Sequence, residues 1–212
     1  MRRTIGAVLA AVAVLLAGCQ SGESEVQQSL DFRVRLLEAA SCGFCADVRA
    51  DFGDKAALFS LDCVYQPQDS AAELTVTAPD SIAGISAAVE GGDAVVSFDG
   101  VRLELGTLAN GRVTPLQLPK LLGDAWAYGY IESQTKLNDG WLSSYRSGYG
   151  DDELLVYTWF NEQLVPTEAE VYYEDTRLFS AELTNFVHRA SRTNEKRGLK
   201  HGAHGKFRPQ ER

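Results

Sequence analysis

The sequence predicts an α+β domain, mostly antiparallel, with about eight to ten strands and two helices. Three observations carry that reading. Apolar and polar residues alternate through much of 42–105 and 131–186, the two-residue period of a half-buried strand. Two stretches, 30–39 and 118–126, carry the wider spacing of a helix with one apolar stripe. The links between strands are short and hold Gly, Asp and Pro, which favours hairpins and antiparallel neighbours. With 212 residues, 45% hydrophobic and 23% charged, the chain has material for one globular domain.

The elements follow in order. In Leu30–Ala39, Leu30, Val34 and Leu37, with Phe32 beside them, form the stripe of a first helix. After Cys42 the period changes: Phe44, Ala46, Val48, Ala50 and Phe52 alternate with polar positions, and Gly53-Asp54 offers a turn. Phe59, Leu61, Cys63 and Tyr65 share one face of the return strand. Leu74, Val76 and Ala78 mark the next, which Pro79 ends because it has no N–H for a ladder. Ile85–Val89 and Ala94–Phe98 flank Gly91-Gly92, and Asp99-Gly100 predicts a tight hairpin into Val101, Leu103 and Leu105.

A second helix is predicted where Leu118, Leu121, Leu122, Ala125 and Trp126 fall at i, i+3, i+4, i+7 and i+8, with Pro119 in its first turn. Strands resume at Ile131. Leu154–Phe160 is apolar on both faces, which predicts a central strand covered on both sides. Val165-Pro166 leads into Ala169, Val171 and Tyr173, and Glu174-Asp175 turns the chain into Leu178–Phe186.

Both ends differ from this body. Arg2 and Arg3 precede Ile5–Ala17, an uncharged run of 17 − 5 + 1 = 13 residues. A bilayer span needs about 20 residues, so the run suits the core of an export signal over 1–18. Residues 19–29 are polar and read as a tether. Residues 188–212 are poor in large apolar side chains and read as a disordered basic tail, leaving 30–187 as the folded domain. Arg189–Arg212 holds eight Lys or Arg against two Glu, so 8 − 2 = +6; residues 1–18 add +2. The whole chain carries −9, so 19–188 carries −9 − 6 − 2 = −17. A body that acidic repels phosphate backbones, and no nucleic-acid partner is expected.

The residues argue against an enzyme. The three histidines, 188, 201 and 204, lie at or beyond the end of the domain, so no histidine base is available inside it for a serine or cysteine nucleophile. Gly91-Gly92 lacks the lysine of a phosphate loop. Asp151-Asp152-Glu153 reads as a solvated turn, and His201 and His204 make a poor metal site. No cofactor and no metal are expected.

Cysteine is the remaining chemistry. Cys42-Gly43-Phe44-Cys45 has dithiol spacing, but a helix precedes the motif and a strand follows it. The helix N-terminus that would activate a thiol is missing. A structural bridge is the better reading. Cys42 shares a strand face with Phe44 and Val48, and Cys63 shares one with Phe59 and Leu61. A Cys42–Cys63 disulfide would close a loop of about 20 residues and stabilise by about 3 kcal/mol. Cys45–Cys63 is the alternative pairing, and a thiol-redox role for Cys42 and Cys45 a third.

Leu16-Ala17-Gly18-Cys19 resembles the lipobox of bacterial lipoproteins. The resemblance implies a diacylglyceryl group on Cys19, cleavage after Gly18, and anchoring on the extracytoplasmic face of a cell membrane. The body, over 30–187, is similar to the lipoprotein-carrier (LolA-like) family. The likeness is carried by Trp159-Phe160, Leu164-Val165-Pro166 and a last strand ending in Asn185-Phe186. Around Ala50–Lys55 the chain also resembles lipoproteins of Gram-positive envelopes. The carrier family implies an incomplete barrel or curved sheet with helices across its open mouth. Such a mouth can hold an apolar or lipid ligand, with Phe44, Val48, Phe59, Leu61, Leu121, Leu122, Trp126 and Trp159 as candidate lining residues. The same residues suit a solid core. On that alternative the chain is an envelope interaction module, offering its acidic face, the Trp141/Tyr145/Tyr149 segment or the basic tail to a protein partner not identified by the sequence.

Overall fold

A computed structural model describes residues 26–91 and 113–190, and the backbone of 93–97. In chain order these form α1 (Gln27–Glu38), β1 (Ser41–Asp51), β2 (Ala56–Gln66), β3 (Ala71–Ala78), β4 (Ser86–Glu90) and β5 (Asp93–Ser97). A 3-10 turn at Pro115–Gln117 then opens α2 (Leu118–Tyr128). β6 (Tyr130–Leu137), β7 (Gly140–Ser147), β8 (Leu154–Asn161), β9 (Pro166–Tyr173) and β10 (Thr176–Arg189) follow. The expected signal over 1–18, the anchor at Cys19, the hairpin at Asp99-Gly100 and the strand of Val101, Leu103 and Leu105 lie outside the described residues.

The described strands form one ten-stranded sheet in the order β5-β4-β3-β2-β1-β10-β9-β8-β7-β6. Every pairing is antiparallel. Two five-strand meanders are therefore joined at one long-range seam, β1 against β10, and β5 and β6 are its two ends. The sheet curls. β2 and β7 are five intervals apart, about 24 Å if flat at ~4.8 Å each. A helix is only about 10 Å wide, yet α2 touches β2, β3 and β7 together.

The inner face is the core. Phe44, Ala46, Val48 and Ala50 of β1 are buried on it, with Leu61, Cys63 and Tyr65 of β2, as the alternation predicts. α2 lays Leu118, Leu122, Ala125 and Trp126 across it.

Four expectations change. α1 begins at Gln27, three residues before the expected start and inside the expected tether. It does not bury Leu30 and Val34, which face outward; its inner face is Ser29, Phe32 and Leu36. The polar Ser29 faces inward because its hydroxyl meets that of Ser143 at 2.7 Å. β8 is covered on one face only. Leu154, Val156, Thr158 and Phe160 are buried, whereas Leu155, Tyr157 and Trp159 are half-buried on the outer face. There Tyr157 packs edge-on against Tyr172 at 5.7 Å, so aromatic neighbours rather than a second layer shelter the outer side chains. Finally, β10 runs to Arg189, so His188 and Arg189 are strand residues paired with Cys42 and Ser41, not tail.

Candidate binding cleft

The candidate ligand-lining residues divide. Phe44, Val48, Leu61, Leu122 and Trp126 come together in the core, with Phe59 and Leu121 half-buried against it. Trp159 does not join them. It stands on the opposite face of β8, beside Leu142 and Glu168.

Beneath α2 the chain's own rings pack against one another. Phe32 meets Phe160 at 4.8 Å and Trp126 at 5.8 Å between ring centres, and Phe44 meets Trp126 at 5.7 Å, mostly edge to face. Trp126 is fully buried and donates its indole N–H to Thr158 Oγ1 at 2.9 Å. Ser29, Ser143, Thr158 and Gln134 place further polar groups inside, next to α1 and β6–β8.

Among the described residues Cys42, Cys45 and Cys63 are free thiols, without the expected Cys42–Cys63 disulfide. The short turn at Phe52–Lys55 pairs Asp51 with Ala56, and that register sets Cys63 opposite Phe44 and Cys42 opposite Tyr65. Cys42 and Cys63 share the inner face but sit diagonally, where Cα atoms are about 7–8 Å apart, too far for a relaxed bridge. Cys45 is opposite Asp62 on the other face. Burial pushes the Cys42 thiol up to about 12 and the Cys63 thiol up as well. At Cys45 a hydrogen bond from Asn185 lowers the pKa. Its hydrogen bond to Asp62, partial burial and the charges of Asp62 and Asp47 outweigh that, so the net shift is upward. Each thiol is thus held protonated, the opposite of a redox nucleophile.

Of the expected partner segment, Tyr145 is fully buried and Trp141 packs against the core. Only Tyr149 is free, at 94% exposure. It stands over a cleft of about 820 Å³ between the start of α1, the end of α2 and the ends of β6 and β7. Leu30 (39% exposed), Tyr128 (55%) and Tyr130 (70%) line the same cleft.

Its walls are fixed by ion pairs and helix ends. Arg33 of α1 donates to the carbonyls of Trp126 (2.8 Å) and Gly129 (2.5 Å), closing the C-terminal end of α2 with a cation. Burial lowers the Arg33 pKa. Asp124 accepts from Tyr65 at 2.7 Å and Ser70 at 2.8 Å and pairs with Lys120, which also reaches Ser70 at 2.9 Å. Tyr128 donates to the Pro67 carbonyl. Together these tie the β2–β3 turn to α2. Arg146 is clamped by Glu132 and Glu153, both at 2.5 Å. Rigid walls carrying exposed aromatic rings suit a binding surface. Sequence reasoning found Tyr149 alone, because the cleft assembles residues from 26 to 153 that no local pattern links.

No family model and no curated relative matches the chain. Among solved structures it is similar to a LolA superfamily protein from Nitrosomonas europaea, at 14% identity and a TM-score of 0.42, over 79% of this chain and 94% of that one. It is also similar to a putative outer membrane lipoprotein-sorting protein domain from Vibrio parahaemolyticus (5% identity, TM-score 0.43, 82% and 96% covered). A third is the lipoprotein LppX from Mycobacterium tuberculosis (13% identity, TM-score 0.36, 76% and 92% covered).

Proposed function

We propose that the chain is a non-catalytic lipoprotein of the extracytoplasmic membrane face, anchored through lipid on Cys19, that works by binding a protein partner at its surface. One contrast supports this reading. The described interior beneath α2 is occupied by Phe32, Phe44, Trp126 and Phe160, whereas the cleft outside presents Leu30, Tyr128, Tyr130 and Tyr149. No described helix is long and apolar enough to cross a membrane. From Cys19 to Val26 the chain can extend at most about 25 Å, which keeps the cleft near the bilayer.

The test is in-membrane crosslinking of the full chain. Tyr130→Ser with Tyr149→Ser should abolish a specific crosslinked species that Leu58→Ser, an exposed apolar residue elsewhere, retains. An unchanged species in the tyrosine variant refutes the cleft.

A second reading keeps an apolar or lipid ligand between helices and sheet, against Phe44, Val48, Phe59, Leu61, Leu121, Leu122 and Trp126. The observation favouring it is that Phe59, Leu121 and Phe186 are only half-buried at the rim of the core. Lipid extraction of protein taken from membranes, followed by mass spectrometry, separates the two readings.

A further inference from the structure

The outer face of the sheet carries two adjoining grooves. The first, about 660 Å³, crosses β1–β4 beside the end of β10 and is lined by Gly43, Cys45, Asp62, Glu73, Asn185 and Arg189 among others. The second, about 570 Å³, continues along β1 past Asp47, Ser60, Glu168 and Glu182. The register sets Asp47 directly opposite Glu182, and Glu182 directly opposite Glu168. Three carboxylates thus stand in one row across β1, β10 and β9, and like charges facing each other in a sheet repel.

Hydroxyl and thiol donors offset part of this: Ser60 donates to Asp47 at 2.5 Å and Cys45 to Asp62 at 3.1 Å. Among the described residues no cation pairs with Asp47, Asp62, Glu73, Glu168 or Glu182. Arg49, the arginine of the second groove, is held by Asp51 at 2.9 Å.

Two facts point to what covers these grooves. β10 delivers the chain into the first one: the Arg189 guanidinium lies over Gly43, where an added Cβ would stand 3.1 Å from it. Gly43 is therefore the floor on which a basic side chain already rests. The residues that follow, 191–212, hold seven Lys or Arg and two Glu, so 7 − 2 = +5. We propose that residues 191–212 turn back over the outer face and dock their basic side chains in these two grooves, against Asp62, Glu73, Asp47, Glu182 and Glu168.

The distances allow it. Glu168 lies one strand across and seven residues back along β10 from Arg189, about 24 Å, which some eight extended residues span. Tethering makes the contact intramolecular, so weak individual ion pairs suffice. The docked segment neutralises the repelling row. This inference is independent of the cleft, which lies at the ends of α1 and α2.

The experiment uses the full chain in detergent micelles. Carbodiimide should join Lys196, Lys200 or Lys206 to Asp47, Asp62, Glu73, Glu168 or Glu182 at low salt, and 1 M salt should remove those links, since exposed pairs are screened. The triple variant Asp47→Asn, Glu168→Gln, Glu182→Gln, checked for native circular dichroism, should raise the rate of trypsin cleavage after Arg192 to Arg197 by roughly threefold to tenfold, the worth of two or three exposed ion pairs. Links confined to acids elsewhere, or equal cleavage rates in a folded variant, overturn the proposal. So does pelleting of the native chain with phosphatidylglycerol vesicles at the expense of the crosslinks, which would make an anionic bilayer the tail's partner.

Discussion

Trp126 donates its indole N–H to Thr158 Oγ1 at 2.9 Å, joining the last turn of α2 to the inner face of β8. Both residues are fully buried. Trp126→Phe removes the donor, strands the Thr158 hydroxyl and leaves a void, and should cost about 2–3 kcal/mol in urea unfolding. Adding Thr158→Val removes the stranded hydroxyl as well, so the double variant should lose less than the sum of the two single ones.

Gly123 is the second control point. A Cβ there would stand 2.3 Å from the Tyr65 ring, far inside contact distance, and Tyr65 is pinned by Asp124. Gly123→Ala should lower stability by about 1–3 kcal/mol, seen as a fall in Tm. Gly43→Ala meets the flexible end of the Arg189 side chain and, at an ordinary 3.6 Å, Val187, and should change Tm little.

Asp124 holds Tyr65, Ser70 and Lys120 together. Asp124→Ala leaves the mostly buried Lys120 ammonium without its counter-charge and should cost about 2–3 kcal/mol. Hydrogen exchange should then quicken in the β2–β3 turn and at the end of α2, where the cleft is built.

The free thiols give a count. Under native conditions maleimide should label Cys45 alone among the three, and slowly at neutral pH because its pKa is raised; Cys42 and Cys63 should react only on unfolding. A Cys42–Cys63 or Cys45–Cys63 disulfide would remove two of the three labels. Stability should also fall in alkali. The folded state keeps the Cys42 proton up to about 12 while the unfolded thiol loses it near 9.0, so stability is full below pH 9 and drains away as pH rises toward 12.

Local pattern made the strands legible. The alternation of β1 to β3 and the stripe of α2 are written in adjacent residues, and the inner faces follow from them. What depends on distant partners was not. The inward face of α1 is chosen by Ser143, which lies 114 residues from Ser29, so the bulkier Leu30 and Val34 lose the contest for the core. The cysteine pairing failed by two residues, because the register is fixed by the turn at Phe52–Lys55 rather than by shared faces. A bulge displaces the end of β10, where Asn185 takes a positive φ of 54° opposite Phe44 and turns its amide toward Cys45. Trp159 was misplaced with the core because an apolar outer strand face looks the same in sequence as one covered by a second layer. Of the cleft only Tyr149 was legible, the rest being a meeting of helix and strand ends.

On the proposed reading Phe32, Phe44, Trp126 and Phe160 occupy the interior and recognition falls to the surface. Native mass spectrometry of the full chain, released from its own membrane in mild detergent, tests this directly. The predicted species is the acylated polypeptide with no further apolar molecule; a stoichiometric lipid adduct that survives transfer and is lost on Trp126→Ala would contradict it.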